Sequence, residues 1–360
     1  MDFYPPGETV TVLAITSNSC NMDCSYCFRD HSAVETLSFE VFEAYMKNMD
    51  SYFPRETPLC VIFHGGEPLL AGYSFFNKAF KFLDSLDRPI YKGMQSNLTM
   101  LDDKLIELFK KNECSIGGSL DGDEEINDQT RRFKSQKGSY AAVTEKLHKL
   151  KLAGMYTGVI SVLHDFNMDA QRYYKFAKQV EAYQVGFSPM FEYRNSISSC
   201  TDPGKLAQFL IDLFDLWVAD DNPPKLSFFE EIMHSMLGKN PGKTCTFHED
   251  CTRGMMAVNV NGDVCLCNHF LGMKEHCYGN AAITPFSEIW NSVQRESLSR
   301  RSSQMATLCK DCEYNSICHG GCMSHTFKSF ASRDYFCKAY RLLFAHIEEA
   351  LVAVTGMAHD

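Results

Sequence analysis

The chain has 360 residues, of which 45% are hydrophobic, so it can bury a large core and carry one main domain with a smaller appendage. Its formal net charge is -10 and its pI is about 5.7. A protein that binds nucleic acid needs a clustered excess of Lys and Arg. The sequence has no such cluster, which argues against a nucleic-acid-binding protein. The first residues lack the pattern of a signal peptide, and no apolar run could span a bilayer. The sequence therefore predicts a cytoplasmic protein without a membrane partner.

The chain contains sixteen cysteines, ten of which lie between Cys245 and Cys337. A reducing cytoplasm disfavours disulfides, and this number exceeds what a buried core needs. Metal ligation is therefore the leading explanation for these residues.

Strand-like and helix-like segments alternate along the first half of the chain. Strands are predicted at 9–16, 59–64, 90–97, 115–120, 156–163 and 185–191. Helices are predicted at 39–53, with Ser38 as the N-cap, and at about 73–86, 102–112, 139–153 and 168–182. Six βα repeats predict a parallel sheet with right-handed crossovers, either open or partly closed into a barrel. The active groups should lie at the C-terminal ends of its strands.

The second half of the chain has a different character. Two further helices are predicted at about 204–219 and 225–237, separated by a Pro-rich turn at 221–224. A β-hairpin that turns at Asn261–Gly262 interrupts the C-terminal cysteines.

Three cysteines follow the first strand closely, as Cys20-x3-Cys24-x2-Cys27 in the segment CNMDCSYC. Three thiolates leave one position open on a tetrahedral metal or on an iron-sulfur cubane, which suits a reactive centre. A closed zinc site would need a fourth ligand, for which His31 is available.

This CxxxCxxC motif, with an aromatic residue before its last cysteine, resembles the signature of the radical S-adenosylmethionine (SAM) superfamily. The resemblance implies that Cys20, Cys24 and Cys27 bind a 4Fe-4S cluster whose fourth iron binds SAM, and that Tyr26 lies near the adenine. Reduction of that cluster would cleave SAM and produce a 5'-deoxyadenosyl radical.

Other motifs of the same family follow the later strands. Residues 64–68, His64-Gly65-Gly66-Glu67-Pro68, resemble its GGEP motif, in which the glycines allow close approach to SAM and Glu67 or nearby carbonyls accept from the SAM ammonium group. Residues 95–97 and 119–122 resemble two further motifs, which implies that Asn97 and Ser119 donate to the SAM ribose or carboxylate. Arg131 would face the SAM carboxylate. A helix cap at Asn97 is the alternative.

The C-terminal cysteines resemble the SPASM domain, which binds two auxiliary 4Fe-4S clusters. The resemblance implies that one cluster is held by Cys245, Cys251, Cys267 and Cys322, and the other by Cys309, Cys312, Cys318 and Cys337. The expected fold is therefore α/β, a partial (β/α)6 TIM-type barrel with a cysteine-rich SPASM domain. The expected boundaries are 1–200 for the barrel, 201–240 for bridging helices, 241–340 for the SPASM domain, and 341–360 for a C-terminal helix and tail. Two zinc ions would satisfy the same eight thiolates.

Departures from the related anaerobic sulfatase-maturing enzymes bear on the reaction. Those enzymes have an aspartate base where this chain has Asn268, and an amide cannot accept a proton at neutral pH. Arg29 replaces a tyrosine and His64 replaces a glutamine. We therefore prefer a ribosomal-peptide maturase that forms a bond oxidatively, and the sulfatase-maturing reaction is the alternative. The polar residues to test are His64, Arg29, Asn268 and His269.

The resemblance implies a peptide or protein substrate and a reducing flavodoxin or ferredoxin as electron donor. The first strand begins near residue 10, so a leader peptide would be recognised by the barrel, the bridging helices or a separate protein. Two weaker alternatives are an enzyme acting on a small molecule and a non-enzymatic Fe-S or zinc protein. Three cubanes predict about 12 iron atoms per chain, whereas a zinc protein would hold almost none.

Overall fold

The computed structural model describes residues 9–29, 34–191, 200–238, 244–326 and 329–355. His31, the candidate fourth zinc ligand, lies outside the described residues. The chain divides into two compact units. The first unit comprises residues 1–119, 131–158 and 250–300, and the second comprises 120–130, 159–249 and 301–360.

The first unit is built on a sheet with helices between its strands. The strands are β1 (Val10–Ser17), β2 (Leu59–Gly65), β3 (Ile90–Gln95), β4 (Ser115–Ser119), β7 (Met255–Val258), β8 (Asp263–Cys265) and β9 (Gly279–Asn280). The helices are α1 (Phe39–Tyr52), α2 (Gly72–Leu83), α3 (Asp103–Lys111), α5 (Tyr140–Leu152) and α9 (Phe286–Trp290).

Within this unit the strands lie in the order β4-β3-β2-β1-β7-β8-β9. β1 to β4 pair in parallel, as the βα alternation predicts. β7 also pairs in parallel with β1, from Thr11 opposite Met255 to Ala14 opposite Val258. The predicted hairpin is therefore present, and its first strand extends the sheet beside β1, which periodicity alone did not predict.

Local sequence explains where the helices begin. The Ser38 side chain accepts a hydrogen bond from the Val41 amide at 3.2 Å and caps α1, as predicted. Asp102 caps α3 in the same way, so Asn97 is not the cap of that helix. α1 then buries one apolar face, formed by Phe42, Tyr45, Met46 and Met49.

The second unit is mainly helical. It contains α4 (Glu124–Thr130), β5 (Gly158–Leu163), α6 (Ala170–Gln179), β6 (Gln184–Pro189), α7 (Pro203–Val218), α8 (Ser227–Met236), α11 (Asn315–Cys318) and α12 (Cys337–Thr355). α10 (Val293–Leu308) begins in the first unit and ends in the second. α7 packs against α6 and α12. Among the described helices, none combines the length and apolar character needed to cross a membrane.

Candidate active site

The three-cysteine loop begins directly after β1 in the first unit. Cys20 is buried, Cys24 is half-buried and Cys27 is exposed. The Met22 amide lies 3.4 Å from the Cys20 sulfur, and the Cys27 amide donates to the Cys24 carbonyl at 3.0 Å. The loop thus presents its thiols from a backbone that is itself hydrogen-bonded, at the C-terminal end of a parallel strand.

Electrostatics within the loop suit a group that binds thiolates. Burial raises the pKa of Cys20, and negative charge on Glu67 and Cys27 raises it further. Burial also lowers the pKa of Arg29 to about 10, although the thiolates of Cys27, Cys20 and Cys267 act in the opposite direction. A cationic metal cluster would displace the thiol protons and relieve this crowding of negative charge. The donor set therefore fits the expected cluster.

The GGEP segment is joined to the cysteine loop by backbone hydrogen bonds. The Gly66 amide donates to the Ser17 carbonyl at 2.8 Å, and the Glu67 amide donates to the Ser19 carbonyl at 2.9 Å. A Cβ atom on Gly66 would lie 2.3 Å from the Ser19 oxygen, which is closer than any real contact. Glycine is required at position 66 because the two backbones touch there.

Replacing Gly66 by alanine should push Ser19, and hence Cys20, out of place. We expect SAM binding to weaken by at least about tenfold, which is about 1.4 kcal/mol, and the iron content to fall. Equilibrium dialysis with SAM and iron analysis would measure both. Gly186→Ala is the control, because a Cβ atom there meets nothing closer than 4.0 Å. Unchanged SAM binding in Gly66→Ala would contradict this account of the close packing.

The Glu67 carboxylate is fully buried and already occupied by protein donors. Its Oε1 accepts from the Leu69 amide at 2.9 Å and from the Ser96 hydroxyl at 2.7 Å. Its Oε2 accepts from the Asn97 amide at 2.9 Å. Burial nevertheless raises the pKa of Glu67 to about 7. Glu67 therefore ties the segment after β2 to the segment after β3, and a carboxylate has one lone-pair site left for SAM.

The other predicted SAM contacts lie around the same loop. The Asn97 amide group donates to Asn21 Oδ1 at 2.8 Å and lies 3.7 Å from the Cys20 sulfur. The guanidinium of Arg131 lies 5.4 Å from the centre of the Tyr26 ring.

Two more of these predicted contacts lie near the ends of β2 and β4. The Pro68 carbonyl accepts from Thr16 at 3.2 Å, and Ser119 accepts from Gln95 at 3.1 Å. The first unit therefore holds every residue for which we predict a SAM contact.

The candidate substrate residues Arg29, His64 and His269 also lie in the first unit. The Phe28 ring stacks on the His269 ring with 4.8 Å between centres, and the Arg29 guanidinium lies 5.7 Å from the Phe28 ring. One terminal nitrogen of Arg29 is buried without a hydrogen-bond partner among the described residues. Asn268 is half-buried and directly follows Cys267.

The hydrogen bonds of His64 decide its chemical role. The Gly65 amide donates to His64 Nδ1 at 2.7 Å, so the proton of the neutral ring lies on Nε2. Burial, assisted by the charge of Arg29, lowers the pKa of His64 to about 3. His64 is therefore a neutral hydrogen-bond donor in this arrangement and a poor proton acceptor.

The four thiols that we predict to hold one auxiliary cluster, Cys309, Cys312, Cys318 and Cys337, all lie in the second unit. Negative charge on Cys337 and Cys309 raises the pKa of Cys318, after the larger effect of burial, to about 12. Charge on Cys309 and Cys312 likewise raises the pKa of Cys337, where burial is again the largest cause. These thiols therefore lie within electrostatic reach of one another, and their assignment to one cluster stays a prediction.

The four thiols predicted for the other auxiliary cluster are distributed over both units. In the first unit, Cys251 and Cys267 both act electrostatically on the buried hydroxyl of Tyr278. In the second unit, Cys245 lies within electrostatic reach of Cys322. The assignment of these four residues to one cluster stays a prediction.

No three His, Cys, Asp or Glu side chains form a tight group around a single metal-ion position in the described part of the chain. Two of the five unassigned cysteines, Cys265 and Cys277, lie within electrostatic reach of each other. Cys60 is buried in β2 and Cys114 is buried next to β4, so both belong to the core of the first unit.

Several residues around these sites carried no recognisable sequence signal. Tyr278 is one example, and Arg333 and Asp334, which lie beside the C-terminal thiols, are two others. Each acts through a contact with residues distant in sequence. The position of Arg333 four residues before Cys337 is the one local hint available.

Comparison with protein families identifies the class. Residues 14–177 match the Radical SAM superfamily, and residues 245–313 match SPASM, an iron-sulfur cluster-binding domain. Residues 14–177 are therefore a radical SAM domain and residues 245–313 a SPASM domain, and the cofactors of these domains are SAM, a catalytic 4Fe-4S cluster and auxiliary clusters. Its fold is an unclosed partial barrel with a parallel sheet and a cysteine-rich domain, as predicted.

Three relatives illustrate what the chain resembles. A serine-type anaerobic sulfatase-maturating enzyme of Bacteroides thetaiotaomicron is 28% identical, over 91% of this chain and 86% of its own. The structure described as native anSMEcpe with bound AdoMet and Cp18Cys peptide has a TM-score of 0.85 at 24% identity, over 96% of this chain and 99% of its own. Streptococcus suis SuiB bound to precursor peptide SuiA has a TM-score of 0.65 at 15% identity, over 92% of this chain and 76% of its own.

Proposed function

We propose that this chain oxidises a side chain within a peptide or protein, as a radical SAM enzyme of the sulfatase-maturating type. One observation carries the proposal. Cys267, a predicted auxiliary-cluster ligand, lies within electrostatic reach of Arg29, which follows the catalytic cysteine loop. An oxidising reaction needs an electron acceptor beside the place where the substrate radical forms, and an auxiliary cluster bound by Cys267 would be that acceptor.

The comparisons support the sulfatase-maturating alternative more strongly than our first preference for a ribosomal-peptide maturase. The sulfatase-maturating relatives match nearly the whole chain at higher identity and higher TM-score than SuiB does. At 15% identity, the likeness to SuiB extends to the fold alone. The ribosomal-peptide reaction is retained as a second candidate because Asn268 cannot act as the expected base.

The bound cofactors would supply an electron and a 5'-deoxyadenosyl radical that removes one hydrogen atom from the substrate. The protein must then take a proton from the substrate group that is being oxidised. Asn268 has no basic atom, and His64 Nδ1 already accepts from Gly65. We assign the proton to His269, which is half-buried and held by its stack on Phe28.

We propose that the other two candidate substrate residues, His64 and Arg29, orient the substrate. His64 can donate from Nε2, and Arg29 has a buried terminal nitrogen available. Both side chains donate hydrogen bonds and neither releases its proton at neutral pH. We therefore propose that they bind carbonyl or carboxylate oxygens of the peptide.

The test uses the anaerobically reconstituted chain with SAM and dithionite. Its substrates are synthetic copies of the modified segment of an anaerobic sulfatase, with Ser, Cys or Ala at the target position. We expect the Ser peptide to lose two hydrogen atoms and to form an aldehyde that a hydrazine traps, with release of 5'-deoxyadenosine. The Ala peptide is the control and should stay unchanged.

Two outcomes would redirect the assignment. Loss of two hydrogens without an aldehyde, from a precursor peptide encoded beside this chain, would favour the ribosomal-peptide reaction. Release of 5'-deoxyadenosine without modification of any peptide would contradict a peptide substrate. His269→Gln should slow product formation on the Ser peptide by about 10²-fold or more, in line with loss of a general base, whereas Asn268→Asp should increase it.

A further inference from the structure

Arg333 lies beside the four thiols gathered in the second unit. Its Nε atom donates to the Cys309 sulfur at 3.4 Å, and a terminal nitrogen donates to the Leu308 carbonyl. The Cys309 thiol that accepts this hydrogen bond is buried, whereas the Arg333 side chain is exposed. Arg333 is therefore a cation placed directly on one predicted cluster ligand.

The charge of Arg333 reaches more than this one ligand. Besides its hydrogen bond to Cys309, the guanidinium group lies within electrostatic reach of Cys337 and Cys312. Three of the four thiols thus interact favourably with a single guanidinium group.

The next residue, Asp334, fixes the segment that carries Arg333. The Asp334 side chain is buried and accepts from the Cys322 amide at 2.9 Å and from the Phe336 amide at 2.7 Å. It also lies 3.1 Å from Nδ1 of His325. Because this carboxylate is held at three points, the backbone at position 333 has little freedom to move the guanidinium away from Cys309.

We infer that Arg333 raises the reduction potential of the auxiliary cluster held by Cys309, Cys312, Cys318 and Cys337. Reduction adds one negative charge to a cluster, so a cation hydrogen-bonded to its sulfur stabilises the reduced form more than the oxidised form. Solvent exposure of the guanidinium screens part of its charge but leaves the hydrogen bond. The cluster becomes the better electron acceptor, which suits an enzyme that must remove a surplus electron from its product.

The inference concerns the cluster and does not depend on the substrate, so its test uses none. Cys20, Cys24 and Cys27 are replaced by alanine to leave the auxiliary clusters alone, and the reconstituted protein is titrated while its EPR spectrum is recorded. In this background Arg333→Gln should lower one of the two reduction potentials. We expect a three- to tenfold change in the reduction equilibrium, which is about 30–60 mV for one electron.

Arg341→Gln is the matched control, because Arg341 is a second exposed arginine of the same unit, on α12. It should move neither potential. Arg333→Lys keeps the positive charge and should give a smaller shift than Arg333→Gln. If Arg333→Gln binds fewer than about 8 iron atoms, so that its auxiliary clusters are incomplete, the potentials are measured on Arg333→Lys instead. A purely structural role for Arg333, through its bond to Leu308, would leave the potential of the loaded cluster unchanged. No shift, or an equal shift in both clusters, would overturn the inference.

Discussion

Cys24→Ala should abolish the dithionite-dependent release of 5'-deoxyadenosine, to the level of a control without enzyme. The half-buried Cys24 is the middle one of the three predicted ligands, and two thiolates would not hold a cubane that also has to bind SAM. The iron content should fall from about 12 to about 8 atoms per chain, because the C-terminal thiols remain. Chromatography of the nucleoside and iron analysis on the same sample would measure both effects.

Cys60→Ala is the matched control for this loss. Cys60 is buried in β2, and burial raises the pKa of its thiol to about 12, so it is protonated and apolar at neutral pH. The control should keep its iron and its rate of SAM cleavage, with only a small loss of stability. Release of 5'-deoxyadenosine by Cys24→Ala at the normal rate would remove the basis of the assigned chemistry.

Glu67→Gln should both destabilise the protein and weaken SAM binding. The amide nitrogen of glutamine would replace one acceptor, so that either the Asn97 amide or the Ser96 and Leu69 donors lose their partner. A buried donor left unpaired costs about 1–3 kcal/mol. The loop after β3 would also lose its anchor, and Asn97 contacts Cys20 and Asn21. Chemical denaturation of the cluster-free protein and dialysis with SAM would measure the two effects.

The stability difference between wild type and Glu67→Gln should depend on pH. The pKa of Glu67 rises from 4.5 to about 7 in the folded protein, chiefly through burial. Below pH 4.5 the carboxyl group is protonated in both the folded and unfolded states. Between pH 4.5 and about 7, Glu67 is ionised in the unfolded state but still protonated in the folded state. The contribution of Glu67 to stability is therefore lost as pH rises through about 7. This shift in pKa corresponds to a contribution of about 3 kcal/mol to the free energy of unfolding.

Glutamine does not titrate, so the variant should lack this pH dependence. Wild type should exceed the variant in stability most clearly near pH 5, and the difference should narrow by pH 8. Glu43→Gln is the control, since Glu43 is part of an exposed ion pair with Lys47 on α1 and should change stability little at either pH. A wild type that gains stability relative to Glu67→Gln between pH 5 and pH 8 would contradict the raised pKa.

Features that depend on near neighbours in the chain were predictable. Ser38 caps α1 because a hydroxyl reaches an amide three residues ahead, and the strands β1 to β4 are apolar runs flanked by helical periodicity. Asn261–Gly262 forms the predicted hairpin turn, with Gly262 at a φ of +93°. The three-cysteine motif was also predictable, because the spacing of three cysteines within eight residues is enough to indicate a cluster-binding loop.

Contacts between distant segments were decided only in the tertiary structure. Pairing of β7 with β1 brings together residues about 245 positions apart, and no periodicity in either strand specifies which partner it takes. The same applies to Glu67, which the sequence predicts as a SAM contact and whose carboxylate also accepts hydrogen bonds from three protein donors. By itself the sequence determined the class of chemistry, since cluster ligands must be cysteines at set spacings. Arg29 lies within electrostatic reach of Cys267, and Arg333 donates a hydrogen bond to the Cys309 sulfur. Which groups surround the predicted ligands in this way depended on how the chain packs, because burial and charge act through space.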